Sequence, residues 1–146
     1  MKKLIKTDFQ AKRDIKQVLL NSGIDLLISG EIRTAQRRLG STKEDLVLNS
    51  ATYDADQAQE GLFNINIHVP NLKNQTAENP TAKDNTQPDE PRMEEIAELI
   101  VAAVDDYHGF DFSLKLKNPG ELVGFGTDWL YNIQVYYNFL RTDITS

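Results

Sequence analysis

Two stretches of the sequence alternate strictly between apolar and polar side chains. In Gly61–Val69 (GLFNINIHV), Phe63, Ile65, Ile67 and Val69 fall on one side, and Asn64, Asn66 and His68 on the other. In Trp129–Leu140 (WLYNIQVYYNFL), Trp129, Tyr131, Ile133, Val135, Tyr137 and Phe139 share one side; Asn132, Gln134 and Asn138 share the other. A period of two is the signature of a β-strand with one face in a core and one face wet. A chain with two such strands must cover one face of a sheet with apolar groups. The other face, rich in amides, is left to water or to a neighbouring subunit.

The cover is also legible. Residues 7–22 read as a helix, with Thr7 and Gln10 as a capping box and Gly23 as the stop. Ala11, Ile15, Val18 and Leu19 make its apolar face, and Lys12, Arg13 and Lys16 are expected on its wet face. A second helix opens at Asp89 and Pro91, where Glu94 and Glu95 suit the positive helix end. Its inner stripe is Met93, Ile96, Ala97, Ile100, Val104 and Tyr107, and Gly109 is its expected stop. Short strands are expected in Asp25–Arg33 (DLLISGEIR), at Leu46–Leu48 and in Phe110–Lys117 (FDFSLKLK), with a turn or hairpin loop at Asn118–Gly126 (NPGELVGFG). Residues 70–91 hold four of the five prolines and almost no apolar side chain, which predicts a long mobile loop between a strand and a helix. The sum is one α+β domain over residues 1–146. It has an antiparallel or mixed sheet of four to five strands, with two helices on one face.

Composition narrows the function classes. The chain has 146 residues, of ordinary globular composition, and no cysteine, which removes disulfides, thiolate metal sites and cysteine nucleophiles. No apolar run is long enough to span a membrane, and the opening MKKLIKTDFQAKRD has no apolar stretch behind its basic head. A soluble, cytoplasmic chain is expected. Net charge is −6 but unevenly spread: residues 1–40 carry a net of +5 and the remainder a net of −11. A nucleic-acid binder should show a basic stripe with stacking aromatics, whereas the basic end here has only Phe9. Opposite charge at the two parts suits head-to-tail docking between copies.

Catalytic chemistry is not legible. His68 and His108 lack metal-ligand spacing, and Asp105, Asp106 and His108 read as solvated groups at a helix end. Asp54, Asp56 and Glu60 lack the spacing of a calcium loop. Gly124-Phe125-Gly126 precedes a strand rather than a helix, so it builds no phosphate cradle. Asn74-Gln75-Thr76 matches a glycosylation sequon, without a secretory signal to expose it to glycosylation. No enzyme activity, catalytic residue, cofactor or metal is expected.

The order of patterns carries a resemblance. EDLVLNS leads into QEGLFNINIHVPNL, a long polar loop runs into PRMEEIAELIVAAVDDY, and FDFSLKLK precedes the terminal WLYNIQVYYNFL. Over residues 25–141 the chain resembles the small tail-terminator, tail-completion and neck proteins of long-tailed bacteriophages and prophages. The segment 70–91 is long for that family, and the basic first helix is not one of its marks. The resemblance implies an α+β subunit that assembles into a ring, typically a hexamer, capping the tail tube and joining it to the head. It implies no catalytic residues. Its implied partners are copies of itself and the tail-tube and neck proteins, with DNA only passing through a lumen and no membrane or small-molecule substrate. The implied location is the host cytoplasm during assembly and then the virion tail or neck.

The candidate interface residues are Lys12, Arg13, Lys16, Arg33, Arg37 and Arg38 on the basic end. On the polar strand faces they are Asn64, Asn66, His68, Asn132, Gln134 and Asn138. The alternative reading is a non-viral α+β binding or adaptor module, acting as a monomer or dimer.

Overall fold

The computed structural model describes residues 6–53, 59–72 and 86–140. Helix α1 spans Asp8–Asn21, and the capping box is formed: the Gln10 N–H donates to Thr7 Oγ1, and the Thr7 N–H donates to Gln10 Oε1 at 2.7 Å. Gly23, at φ 81°, ends it in the left-handed conformation that glycine adopts without steric cost. A 3-10 turn at Ile24–Leu26 leads to strand β1 (Ile32–Arg33). Strands β2 (Asp45–Tyr53) and β3 (Gln59–His68) follow. Helix α2 (Glu90–Val104) precedes strands β4 (Tyr107–His108), β5 (Phe112–Phe125) and β6 (Asp128–Phe139).

The fold is α+β, as expected. One six-stranded sheet runs β1-β2-β3-β6-β5-β4; β1 and β2 are parallel and every other pair is antiparallel. The strand count exceeds the expected four to five by the two-residue edge strand β4, whereas β1 is the end of the strand expected in Asp25–Arg33. Pairings such as Ile65↔Ile133 and Phe63↔Val135 put the apolar sets of the two alternating segments on one face. Leu46 and Leu48 extend that face through β2. Both helices bury their stripes there, and Ile15, Leu19, Met93, Ile96 and Ile100 join Phe63, Ile65, Ile133 and Tyr137 in one core. Burying side chains of this size contributes about 1.5–3 kcal/mol each.

Four expectations are corrected. Asp25–Arg33 is strand only at its end, because Ile24 and Ile28 turn into the core at a four-residue spacing that a helical turn satisfies. Helix α2 stops at Val104 rather than Gly109: Asp106 takes φ 54°, a left-handed turn that Asp tolerates better than most residues. Tyr107 therefore leaves the helical stripe and pairs with Leu114 in the sheet. The segment 118–126 is mostly not a hairpin loop, since β5 continues through it with register shifts around Asn118. Pro119 is tolerated because it falls in the register break between Asn118 and Glu121, without a partner on β6, and β4 covers β5 only at Ser113 and Leu114, so the missing N–H leaves no ladder bond unmade. Lys12, expected on the wet face, is 7% exposed; its ammonium pairs with Asp8 at 3.0 Å and lies 5.3 Å from the centre of the Phe9 ring.

Of the long polar segment, residues 73–85 lie outside the described residues, as do Asp54 and Asp56 and the sequon at residues 74–76. The ends of the segment are tied: the Leu72 N–H donates to the Gln87 carbonyl at 2.9 Å, and Trp129 Nε1 donates to the Thr86 carbonyl at 2.9 Å.

Gly120 offers a sharp test of the β5 irregularity. Its φ is 142°, its N–H donates to Asn118 Oδ1, and an added Cβ would sit 1.9 Å from the Tyr131 ring. Gly120→Ala is expected to destabilise the fold by about 2–4 kcal/mol, measured by urea unfolding.

Candidate functional site

The polar face of the sheet is an ordered amide cluster. Registers Asn49↔Asn64, Asn64↔Gln134 and Asn66↔Asn132 set amides opposite amides across three strands. Asn64 Nδ2 donates to Asn49 Oδ1 at 2.8 Å, and Asn64 Oδ1 accepts from Asn132 Nδ2 and Gln134 Nε2, each at 3.1 Å. Asn132 Nδ2 also donates to Asn66 Oδ1 at 2.7 Å. Four of the sequence candidates thus meet, joined by Asn49, whose signal was its place in the EDLVLNS strand. Asn138 lies further along β6, opposite Glu60 and Ser113, and the cluster does not include it.

His68 is separated from the amides as well. It pairs across the sheet with Asp45 and Leu130, is 9% exposed, and its ring meets Phe125 edge-on at 6.2 Å. Its Nδ1 has no hydrogen-bond partner among the described residues. Burial, and after it the Arg37 charge, hold the imidazole below its ordinary pKa, against the opposing pull of Asp45 and Asp128.

The basic candidates do not form one patch. Arg37 is committed to Asp45, with Nε 2.9 Å from Oδ2, and its Nη2 donates to the Lys43 carbonyl at 2.6 Å. Asp45 is buried, and that burial raises its carboxyl pKa. Hydrogen bonds from Ser41, Arg37 and the Glu31 N–H outweigh the burial and hold it below the usual range. Arg33 makes a surface pair with Glu31 at 3.2 Å, and Arg38 is exposed on the loop before β2. Lys12 is buried, which leaves Arg13 and Lys16 as the basic face of α1.

Two features escaped the sequence reading. Arg92, in the first turn of α2, grips Glu44 with Nε at 2.6 Å and Nη2 at 3.0 Å, and also donates to the Leu27 carbonyl at 2.6 Å. The arginine bond pulls the Glu44 carboxyl below its usual pKa, and Glu44 in turn raises that of Arg92. The clamp fixes the start of α2 against β2. The second feature is a groove of about 670 Å³ between α2 and the outer part of β5 and β6. Met93, Ala97, Val101, Leu122 and Tyr131 line it, and Glu90, Glu94 and Glu98 follow one edge at four-residue steps. That acidic spacing was its only signal in the sequence. Among the described residues no three acidic or histidine side chains converge as a metal site requires, and His108 forms only an exposed pair with Asp106 at 3.2 Å.

No protein-family model matches this chain, and no curated protein matches it.

Because His68 is held neutral in the fold, the unfolded chain takes up its proton first as pH falls through about 6.5. Stability is expected to decline as pH falls below about 6.5, and His68→Leu to flatten that decline. Thermal unfolding across this range checks both.

Proposed function

We propose that this chain is a virion structural subunit that assembles into a ring at the end of a long phage tail, where it caps the tube and joins it to the head. The observation that carries this reading is the element order on a single sheet: a helix, three strands, a second helix and a terminal hairpin, with both helices on one face. That is the α+β plan which the resemblance to tail-terminator and neck proteins implies. The helices do not cover the opposite face: its half-buried amides bond to one another and stay polar yet ordered where they meet water, a lumen or a neighbour, while Asp45, Val47 and His68 are buried beside them.

The charge layout suits such an assembly. The basic residues Arg13 and Lys16 stand on α1, and the acidic series Glu90, Glu94 and Glu98 stands on α2. Surfaces of opposite sign on different elements favour heterologous contacts, which close into a ring when the rotation permits. A predominantly acidic subunit would repel DNA and let a genome pass without adhering. In this reading the subunit has no catalytic task, waits in the host cytoplasm and ends in the tail or neck. The apolar groove beside α2 favours a second reading, an adaptor that holds a basic amphipathic segment as a monomer or dimer.

Light scattering after size exclusion at several concentrations, with negative-stain imaging, separates the two. Closed rings of about six subunits are expected. A stable dimer at every concentration, or a monomer that tail tubes of the same virion do not recruit, would overturn the ring.

A further inference from the structure

We propose that the exposed stripe Phe9–Arg13–Lys16 of α1 docks into the α2 groove of the next copy, and that this contact builds the assembly. The inference rests on the ring reading and deepens it by naming the surfaces that meet. Phe9, Arg13 and Lys16 follow one another at steps of four and three residues, so they share a flank of α1 away from its core stripe. Phe9 is 70% exposed, a large ring held out at the start of the helix with the Lys12 ammonium beside it. Leaving an aromatic in water forfeits burial worth having, and the groove offers a recess for it: Met93 and Ala97 at its base, with Leu122 and Tyr131 opposite.

The charges match in sign and spacing. Glu94 and Glu98 stand about 6 Å apart along their helix axis, and Arg13 and Lys16 about 4.5 Å apart along theirs, close enough for both cations to reach both carboxylates. Among the described residues neither set has an ion-pair partner within the chain, although Lys12 pairs with Asp8 and Arg92 with Glu44 and Glu95. The occupant is a second copy because the complementary stripe is present on the same chain at equal concentration. The stripe and the groove are different surfaces, so a subunit that offers its stripe to one neighbour still has its groove for another.

Two charge-reversed forms test this. The first carries Arg13→Glu and Lys16→Glu; the second carries Glu94→Lys and Glu98→Lys. Arg13, Glu94 and Glu98 are exposed and Lys16 is half-buried, so both forms are expected to keep the wild-type circular dichroism. Each alone meets like charge with like charge, and self-association is expected to weaken by about a hundredfold or more. Mixed in equal amounts, each stripe finds an opposite groove, and the wild-type mass is expected to return. If the wild type forms rings and either form still assembles as the wild type does, this contact is wrong while the ring reading stands. If the mass lost and regained is that of a dimer, the contact stands and the ring reading fails. A folded mixture that stays monomeric overturns the contact. So does a wild type that never self-associates, in which case binding of a basic amphipathic peptide would assign the groove to a foreign partner.

Discussion

The structure depends on the register between β3 and β6, the central pair of the sheet. From Gln59↔Phe139 to His68↔Leu130 the two strands run without a shift, so from Phe63↔Val135 to Ile67↔Tyr131 apolar side chains oppose apolar ones and amides oppose amides in alternation. A slip of one residue would send Ile65 and Phe63 into water and Asn64 and Asn66 under the helices. The penalty is paid on both faces, because the amides would then be buried without their partners. The outer face therefore helps to specify the register that the core requires. The bonds from Asn132 to Asn64 and Asn66 exist in this alignment.

Around that pair, charged side chains decide where the helices rest. Lys6 lies 2.6 Å from Asp14 and 3.0 Å from Asp111, with its ammonium over the Phe112 and Phe139 rings, while Tyr137 donates to Asp14. This ties the entrance of α1 to the start of β5 and the end of β6. Arg92 does the same for α2, holding its first turn against Glu44 of β2's approach and the Leu27 carbonyl. Removing one partner of such a tie leaves a desolvated charge, a larger effect than any exposed pair would produce. The groove beside α2 follows from that placement: with its first turn fixed near β2, Met93, Ala97 and Val101 face the outer half of the β5–β6 hairpin.

Local signals were legible wherever the chemistry was local. Thr7 with Gln10, and Asp89, mark helix starts through side chains that bond neighbouring backbone N–H groups, while Gly23 marks an end by its left-handed φ and Pro91 a start by its fixed φ, and each acts as its type suggests. The misreadings arose where a distant partner decided. Tyr107 continues a helical stripe in sequence, but Phe112 packs 5.7 Å from it and Leu114 pairs with it, and a turn at Asp106 lets both happen. Asn118-Pro119-Gly120 reads as a turn, yet β6 lies alongside and the strand runs on with bulges. Lys12 reads as solvent-facing by type, but Asp8 and the Phe9 ring give its charge a buried place.

The sequence by itself determined the α+β class, the two core-facing strand sets and the polar character of the face they leave. Those properties follow from side-chain period and from caps within four residues of their targets. Only the tertiary structure decided which strands are neighbours, which cations are consumed by Asp8, Asp45 and Glu44, and which remain exposed on α1. It also decided that one flank of α2, with its acidic edge, and the outer part of β5 and β6 form one groove. Pairing across the sheet and burial of a charge depend on residues tens of positions away, and no local pattern encodes that distance.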